Sequence, residues 1–188
     1  ELGAAGADGG GARVRLDTGS ADAGDGVLEA QLLVSAVGDL PNLEWLAPSG
    51  LLEAGELRVD SRGRASERIA AAGDVAAFPG RRGHRRVPLW TSAIEQAKTA
   101  ALALLRGDEA DELHHQPYFW TEQFGIALKV CGELPVEGAP EIVEGSVQEP
   151  SALLRWPRPD GTGTAAALGY RIPVPRLRSM TRPVAAPA

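Results

Sequence analysis

Cysteine is nearly absent. Cys131 alone rules out an internal disulfide and any all-thiolate metal site, and it fits a reducing compartment. Histidine is confined to His84, His114 and His115, with no second ligand pair at metal spacing, so no metal site is expected. No apolar run approaches the roughly 20 residues of a membrane-spanning helix, which points to a soluble protein with no membrane partner. Long basic runs are missing too, and a formal net charge of −6 argues against a dedicated nucleic-acid binder. There is no signal-peptide pattern and no basic amphipathic leader, so a cytoplasmic location is expected. The first residue is Glu1 rather than Met, as in the tail of a longer chain. What remains is a globular composition: 188 residues, 44% hydrophobic and 23% charged, with 23 Gly and 14 Pro. That length allows one ordinary domain or two small ones and is short for a complete two-cofactor enzyme.

Charge and texture both change along the chain. Residues 1–80 hold 6 Arg against 13 acidic residues, whereas residues 81–188 hold 13 basic against 12 acidic. The arginines from Arg155 to Arg182 either steer an acidic partner or form a solvated surface, and their scatter favours the surface. Alternation at Arg13–Leu16 predicts a short strand, and Val27–Val37 a second one. Its continuous apolar end suits a strand covered on both faces. Leu57–Asp60 and Ile69–Ala72 read as further short strands. The spacing of Ile94, Ala97, Ala101, Leu104 and Leu105 predicts an amphipathic helix over 92–106, with Ser92 and Glu95 as a capping box and Gly107 as its stop. Residues 107–117 read as an exposed linker. Strands at 127–131, 142–148, 152–156 and 164–168 then predict an antiparallel meander, followed by a Pro- and Arg-rich surface segment from Pro173.

Ile69-Ala70-Ala71-Ala72-Gly73-Asp74-Val75 places a carboxylate at the carboxyl end of a strand, beside a residue whose missing side chain lets a ligand approach. Taken alone, an Asp capping the next turn is the better reading. Four segments in order change that balance: Val37-Gly38 with Pro41-Asn42; Ala71-Ala72-Gly73-Asp74-Val75; Leu89-Trp90 ahead of the Glu95-Gln96 helix; and Pro117-Tyr118-Phe119-Trp120-Thr121-Glu122-Gln123-Phe124. Together they resemble the C-terminal part of the FAD-dependent pyridine-nucleotide oxidoreductases, most closely the ferredoxin reductase branch that feeds electrons to oxygenases.

The resemblance implies an α/β and α+β architecture: remnants of FAD- and NAD(P)-binding Rossmann-like domains, then a small C-terminal antiparallel β-sheet reductase domain. Residues 1–40 would end the NAD(P)-binding domain, 41–110 the FAD-binding domain, and 111–188 would form the reductase domain. It implies FAD and NAD(P)H as cofactors, hydride transfer from nicotinamide to flavin, and release of single electrons to a ferredoxin-like iron–sulfur partner. A homodimer is one arrangement it allows. Cofactor contacts are implied at Gly38, Gly73, Asp74, Val75, Leu89, Trp90 and Trp120, with Asp74 on the ribityl chain and the two tryptophans walling the ring. No side chain is implied as acid or base, because the flavin carries the chemistry.

Two positions depart from the family: Pro88 stands where an acidic residue is usual, and Ser92 where Asn is common. The glycine-rich phosphate loops expected upstream are absent, so the chain alone is expected to bind FAD weakly or not at all. Two other readings stand beside this one: a non-catalytic interaction or dimerisation module, and a flavin reductase with a different acceptor. Cys131 reads as a small core residue. Arg81, Arg82, Arg85 and Arg86 around His84 suit docking of an acidic protein or a phosphate, with a solvated loop slightly favoured.

Overall fold

The structure is a computed structural model that describes residues 2–3, 12–15, 27–36, 38–114 and 116–183. The glycine-rich stretches of 4–11 and 16–26, together with Val37, His115 and the last five residues, lie outside the described residues. The chain divides into two units, 1–40 and 41–188.

In the first unit, β1 (Leu2–Gly3), β2 (Ala12–Arg15) and β3 (Val27–Ala30) form an antiparallel sheet in that order. Arg13 and Glu29 sit opposite each other across β2 and β3 and form an ion pair. The predicted second strand stops at Ala30. Leu32, Leu33 and Val34 are exposed and outside any strand, so the expectation of a strand covered on both faces does not hold. Among the described residues of this unit no second layer packs on the run, and an apolar strand without one has nothing to bury its side chains.

The second unit begins with a 3-10 turn (Glu44–Ser49) and a set of short strands: β4 (Leu57–Arg58), β5 (Arg64–Ser66), β6 (Ile69–Ala70), β7 (Ala76–Gly80) and β8 (Gly83–Arg85). β4 pairs parallel with β7, and β7 forms a hairpin with β8. Leu43, Leu46 and Leu57 make one buried cluster, and Val59, Ala76 and Phe78 another.

Helix α1 runs Trp90–Arg106 and closes at Gly107. Its start and its face both differ from expectation. Leu89 occupies the cap position in extended conformation with no side-chain hydrogen bond, while Ser92 is inside the helix and buried, so the capping box is not formed. Glu95 pairs instead with Lys98. The buried positions are Ser92, Gln96, Ala100 and Ala103, at spacings of four, four and three, and the predicted stripe of Ile94, Ala97, Ala101 and Leu105 faces outward. The cause is close backbone approach. A β-carbon on Gly63 would lie 3.0 Å from the Ala100 β-carbon, so only small side chains fit on the face that meets the Asp60–Arg64 turn.

The connection after α1 is strapped down. A 3-10 turn (Gly107–Glu109) leads to a segment in which Asp108 accepts from Arg64 (2.7 Å), Arg62 donates to the Ala110 carbonyl (2.7 Å) and Leu113 N–H donates to Ser61 (2.8 Å). Two of its acidic residues, Asp108 and Glu112, have arginine partners more than 40 positions away.

Five antiparallel strands follow: β9 (Tyr118–Gln123), β10 (Ile126–Cys131), β11 (Glu141–Ser146), β12 (Ser151–Pro157) and β13 (Gly163–Leu168). Their order is β11-β12-β13-β10-β9, so the sheet is no simple meander: the β9–β10 hairpin docks along β13. Alternation sends Cys131, Leu153, Ala165 and Ala167 to one face and Val130, Ala152, Leu154 and Ala166 to the other. The segment after Pro173 does not simply run over the surface. It forms α2 (Val174–Ser179), with proline tolerated at its first turn, and buries Leu177 with Ile172 on the Cys131 face.

Candidate functional site

The Gly73-Asp74 turn follows β6. Gly73 has φ +79°, a conformation that glycine adopts without cost, and its amide donates to the Gln96 side-chain carbonyl at 2.8 Å. A β-carbon on Gly73 would lie 3.7 Å from that of Ala93, so the turn sits directly against the first turns of α1. From the other side, Arg86 donates to the Asp74 carbonyl at 2.7 Å. Asp74 itself is exposed and Val75 is half-buried against the Leu43–Leu46–Leu57 cluster.

The neighbouring Asp60–Arg64 turn is built around one carboxylate. Asp60 accepts from the amides of Arg62 (2.9 Å) and Arg64 (2.8 Å) and from the Arg64 guanidinium (2.8 Å). Burial alone would raise its pKa, but the Arg64 amide and guanidinium and the Arg62 amide outweigh burial and hold it below the usual value.

The amino end of α1 is tied to β9: the Thr91 hydroxyl donates to the Tyr118 carbonyl at 2.7 Å. Along β9, Tyr118 and Trp120 stack with ring centroids 5.7 Å apart, and the Arg178 guanidinium lies over the Tyr118 ring at 5.8 Å. Neither site tryptophan is core, Trp90 being 78% and Trp120 59% exposed. Leu89 lines a cavity of about 330 Å³ together with Pro88, Phe119, Leu134, Arg85 and Arg86. Three sequence-predicted pieces are thus linked in series: the Gly73-Asp74 turn lies against Ala93 of α1, and Thr91 at the start of α1 is bonded to Tyr118 of the strand that carries Trp120. Gly38, with φ +128° and open space at its α-carbon, belongs to the first unit and is described there alone.

These groups fit a flavin. A carboxylate at a strand end accepts hydrogen bonds from polyol hydroxyls, a helix start without a side-chain cap favours a ring edge that gains negative charge, and exposed indoles keep water from a planar ring. Cys131 is fully buried, and burial pushes its thiol up to about 11, which fits a packing role rather than a nucleophile.

The arginine cluster is tied down at the surface. Arg81 pairs with Asp160 and Arg82 with Glu137, while Arg85 donates to the Leu134 carbonyl and Arg86 to that of Asp74. His84 Nε2 lies 3.1 Å from the Val59 carbonyl. The β7–β8 hairpin is therefore neither a free phosphate loop nor a loose solvated one; it clasps the loops of the five-stranded sheet. Sequence reading missed both this clasp and the role of Gln96. Gln96 was legible only as part of the Glu95-Gln96 segment of the resemblance, not as the partner of Gly73.

No family model matches the chain. Over 155 residues it is 34% identical to rhodocoxin reductase of Rhodococcus erythropolis, an alignment covering 73% of this chain and 35% of that protein. Over 127 residues it is 32% identical to putidaredoxin reductase of Pseudomonas putida, covering 65% of this chain and 29% of that one. Among solved structures, a ferredoxin reductase from Rhodopseudomonas palustris superposes with a TM-score of 0.68 at 28% identity, over 90% of this chain and 40% of the other. The reductase in a covalent putidaredoxin reductase–putidaredoxin complex gives 0.66 at 26% identity, over 83% and 37%. The chain spans about a third of the length of the curated relatives it matches.

Proposed function

We propose, from the premise that this chain is a portion of the ferredoxin reductase branch of the FAD-dependent oxidoreductases, that it supplies the ribityl-binding and ring-covering part of a flavin site in a cytoplasmic NAD(P)H-dependent reductase. The observation that carries this reading is the Gly73-Asp74 turn held against the start of α1, with that start tied in turn to the aromatic strand β9. Residues 41–110 are proposed as the end of the flavin domain and 111–188 as the terminal reductase domain.

The Asp74 carboxylate accepts hydrogen bonds from sugar-chain hydroxyls. Val75 and Leu89 shape the walls beside it, and the amide end of α1 stabilises negative charge at the ring edge. Trp90 and Trp120 exclude water and leave an aromatic surface through which an iron–sulfur acceptor of the ferredoxin type is reached. Gly38 is proposed to lie in the NAD(P)-binding part. FAD held there would supply the redox chemistry, hydride acceptance from NAD(P)H and single-electron release to that acceptor, while these residues bind and cover it. No side chain here is asked to move a proton. Pro88, lacking both carboxylate and N–H, does not supply the contact to the ring or the nicotinamide that an acidic side chain would make there.

The test is a graft in which residues 41–188 replace the matching portion of rhodocoxin reductase. Retained FAD absorbance after gel filtration, bleaching of that absorbance by NADH or NADPH, and reduction of an added ferredoxin are the expected results. A folded graft that carries no flavin contradicts the reading. Sedimentation of the same graft reads whether it associates as a homodimer.

A further inference from the structure

We propose that Gln96 is a positioning residue for Asp74: from the buried face of α1 its side-chain carbonyl fixes the Gly73 amide, and with it the direction in which the next carboxylate leaves the strand end. This rests on Asp74 serving a flavin.

Gln96 is 1% exposed, on a face otherwise made of Ser92, Ala100 and Ala103. Burying a primary amide is costly unless it is hydrogen-bonded, and packing alone would be met by an apolar side chain of the same length. What Gln96 adds is an acceptor for Gly73 N–H at 2.8 Å. That amide belongs to a residue at φ +79°, in a glycine whose backbone has many alternative conformations. The carbonyl on the far side of Asp74 is held by Arg86 at 2.7 Å. The turn is therefore pinned through the N–H before the carboxylate and the C=O at it, one pin from α1 and one from the segment after β8. A hydroxyl-binding carboxylate gains affinity when its backbone is fixed in advance, since less freedom is lost on binding.

The experiment compares the parent with Gln96→Glu, which keeps an acceptor oxygen, and Gln96→Leu, which keeps the volume and loses it. In the 188-residue chain the readout is amide hydrogen exchange. Gly73 is expected to exchange about 10-fold faster in Gln96→Leu and at the parent rate in Gln96→Glu, with Ala103 unchanged in both. If Gln96→Leu loses the native amide spectrum, Gln96→Ala is read in its place. In the graft the readout is the FAD dissociation constant, expected to rise about 5- to 10-fold in Gln96→Leu and to stay near the parent value in Gln96→Glu.

Unchanged Gly73 exchange in Gln96→Leu overturns the proposal. So does FAD affinity that is unaffected by Gln96→Leu, or weakened equally by both variants, which would make the role one of packing. A parent graft that binds no FAD is the failure of the flavin reading itself, and this proposal falls with it; that outcome is recognised before any variant is compared.

Discussion

In the five-stranded sheet the fully buried side chains include Leu153, Leu177 and Cys131, large or apolar groups drawn from alternating strand positions and from α2. Around α1 the fully buried positions are Ser92 and Gln96, backed by Ala100 and Ala103, while Ile94, Leu104 and Leu105 lie outside. One region is organised by apolar volume, the other by closeness of approach. The sheet region packs Leu153, Leu154, Ile172 and Leu177 among small residues such as Ala152, Ala165, Ala166 and Ala167. The α1 region spends its buried face on bringing two glycine turns, at Gly63 and Gly73, up to the helix, and that closeness is what places Asp74 beside the helix start.

The contrast is most exposed to failure in paired leucine variants. Leu153→Ala is expected to destabilise the chain by about 2–5 kcal/mol, the range for a large-to-small change in a packed core. Leu105→Ala, at a position 82% exposed, is expected to stay within about 0.5 kcal/mol. Denaturant melts of the two read the difference, and similar losses would erase the distinction. Gly63→Ala probes the other region. A residue forced to φ +83° and into contact with Ala100 is expected to cost about 1–3 kcal/mol by strain and overpacking, visible as a lower unfolding midpoint.

The clasp between the two regions is expected to be weak and pH-dependent. Arg82→Ala removes an exposed pair with Glu137 and is expected to change stability by about 0–1 kcal/mol. Asp160 is held at about 2, against an ordinary 3.8, first by the Thr162 hydroxyl and then by Arg81. A depressed carboxylate stabilises the fold above its unfolded pKa and loses that contribution as pH falls through its folded pKa. The stability gap between the parent and Asp160→Asn is therefore expected to be constant above about pH 4 and to close towards pH 2. A gap that does not change over that window would detach Asp160 from the clasp.

Much of this was legible in the residues. Gly107 marked the end of α1, and alternation found β10, β12 and β13 to within about two residues. The Gly73-Asp74 pair reads from sequence as a turn after a strand, and a turn follows β6 there, with Gly73 at positive φ. What was not legible depends on partners distant in sequence. The inward face of α1 was misassigned because apolar periodicity locates large side chains, whereas the contact with Gly63 selects small ones. The arginines of the β7–β8 hairpin read as a surface cluster because Glu137 and Asp160 are more than 50 positions away. The helix after Pro173 was hidden by its proline and arginine content, although Ile172 and Leu177 are its anchors.

The central claim is that the Asp74 turn is part of a flavin site, and the most direct measurement is the FAD dissociation constant of the rhodocoxin reductase graft with and without Asp74→Ala. Loss of charge-assisted hydrogen bonds to the sugar chain predicts affinity weaker by about 10- to 100-fold. Equal affinity in the two proteins would contradict the account.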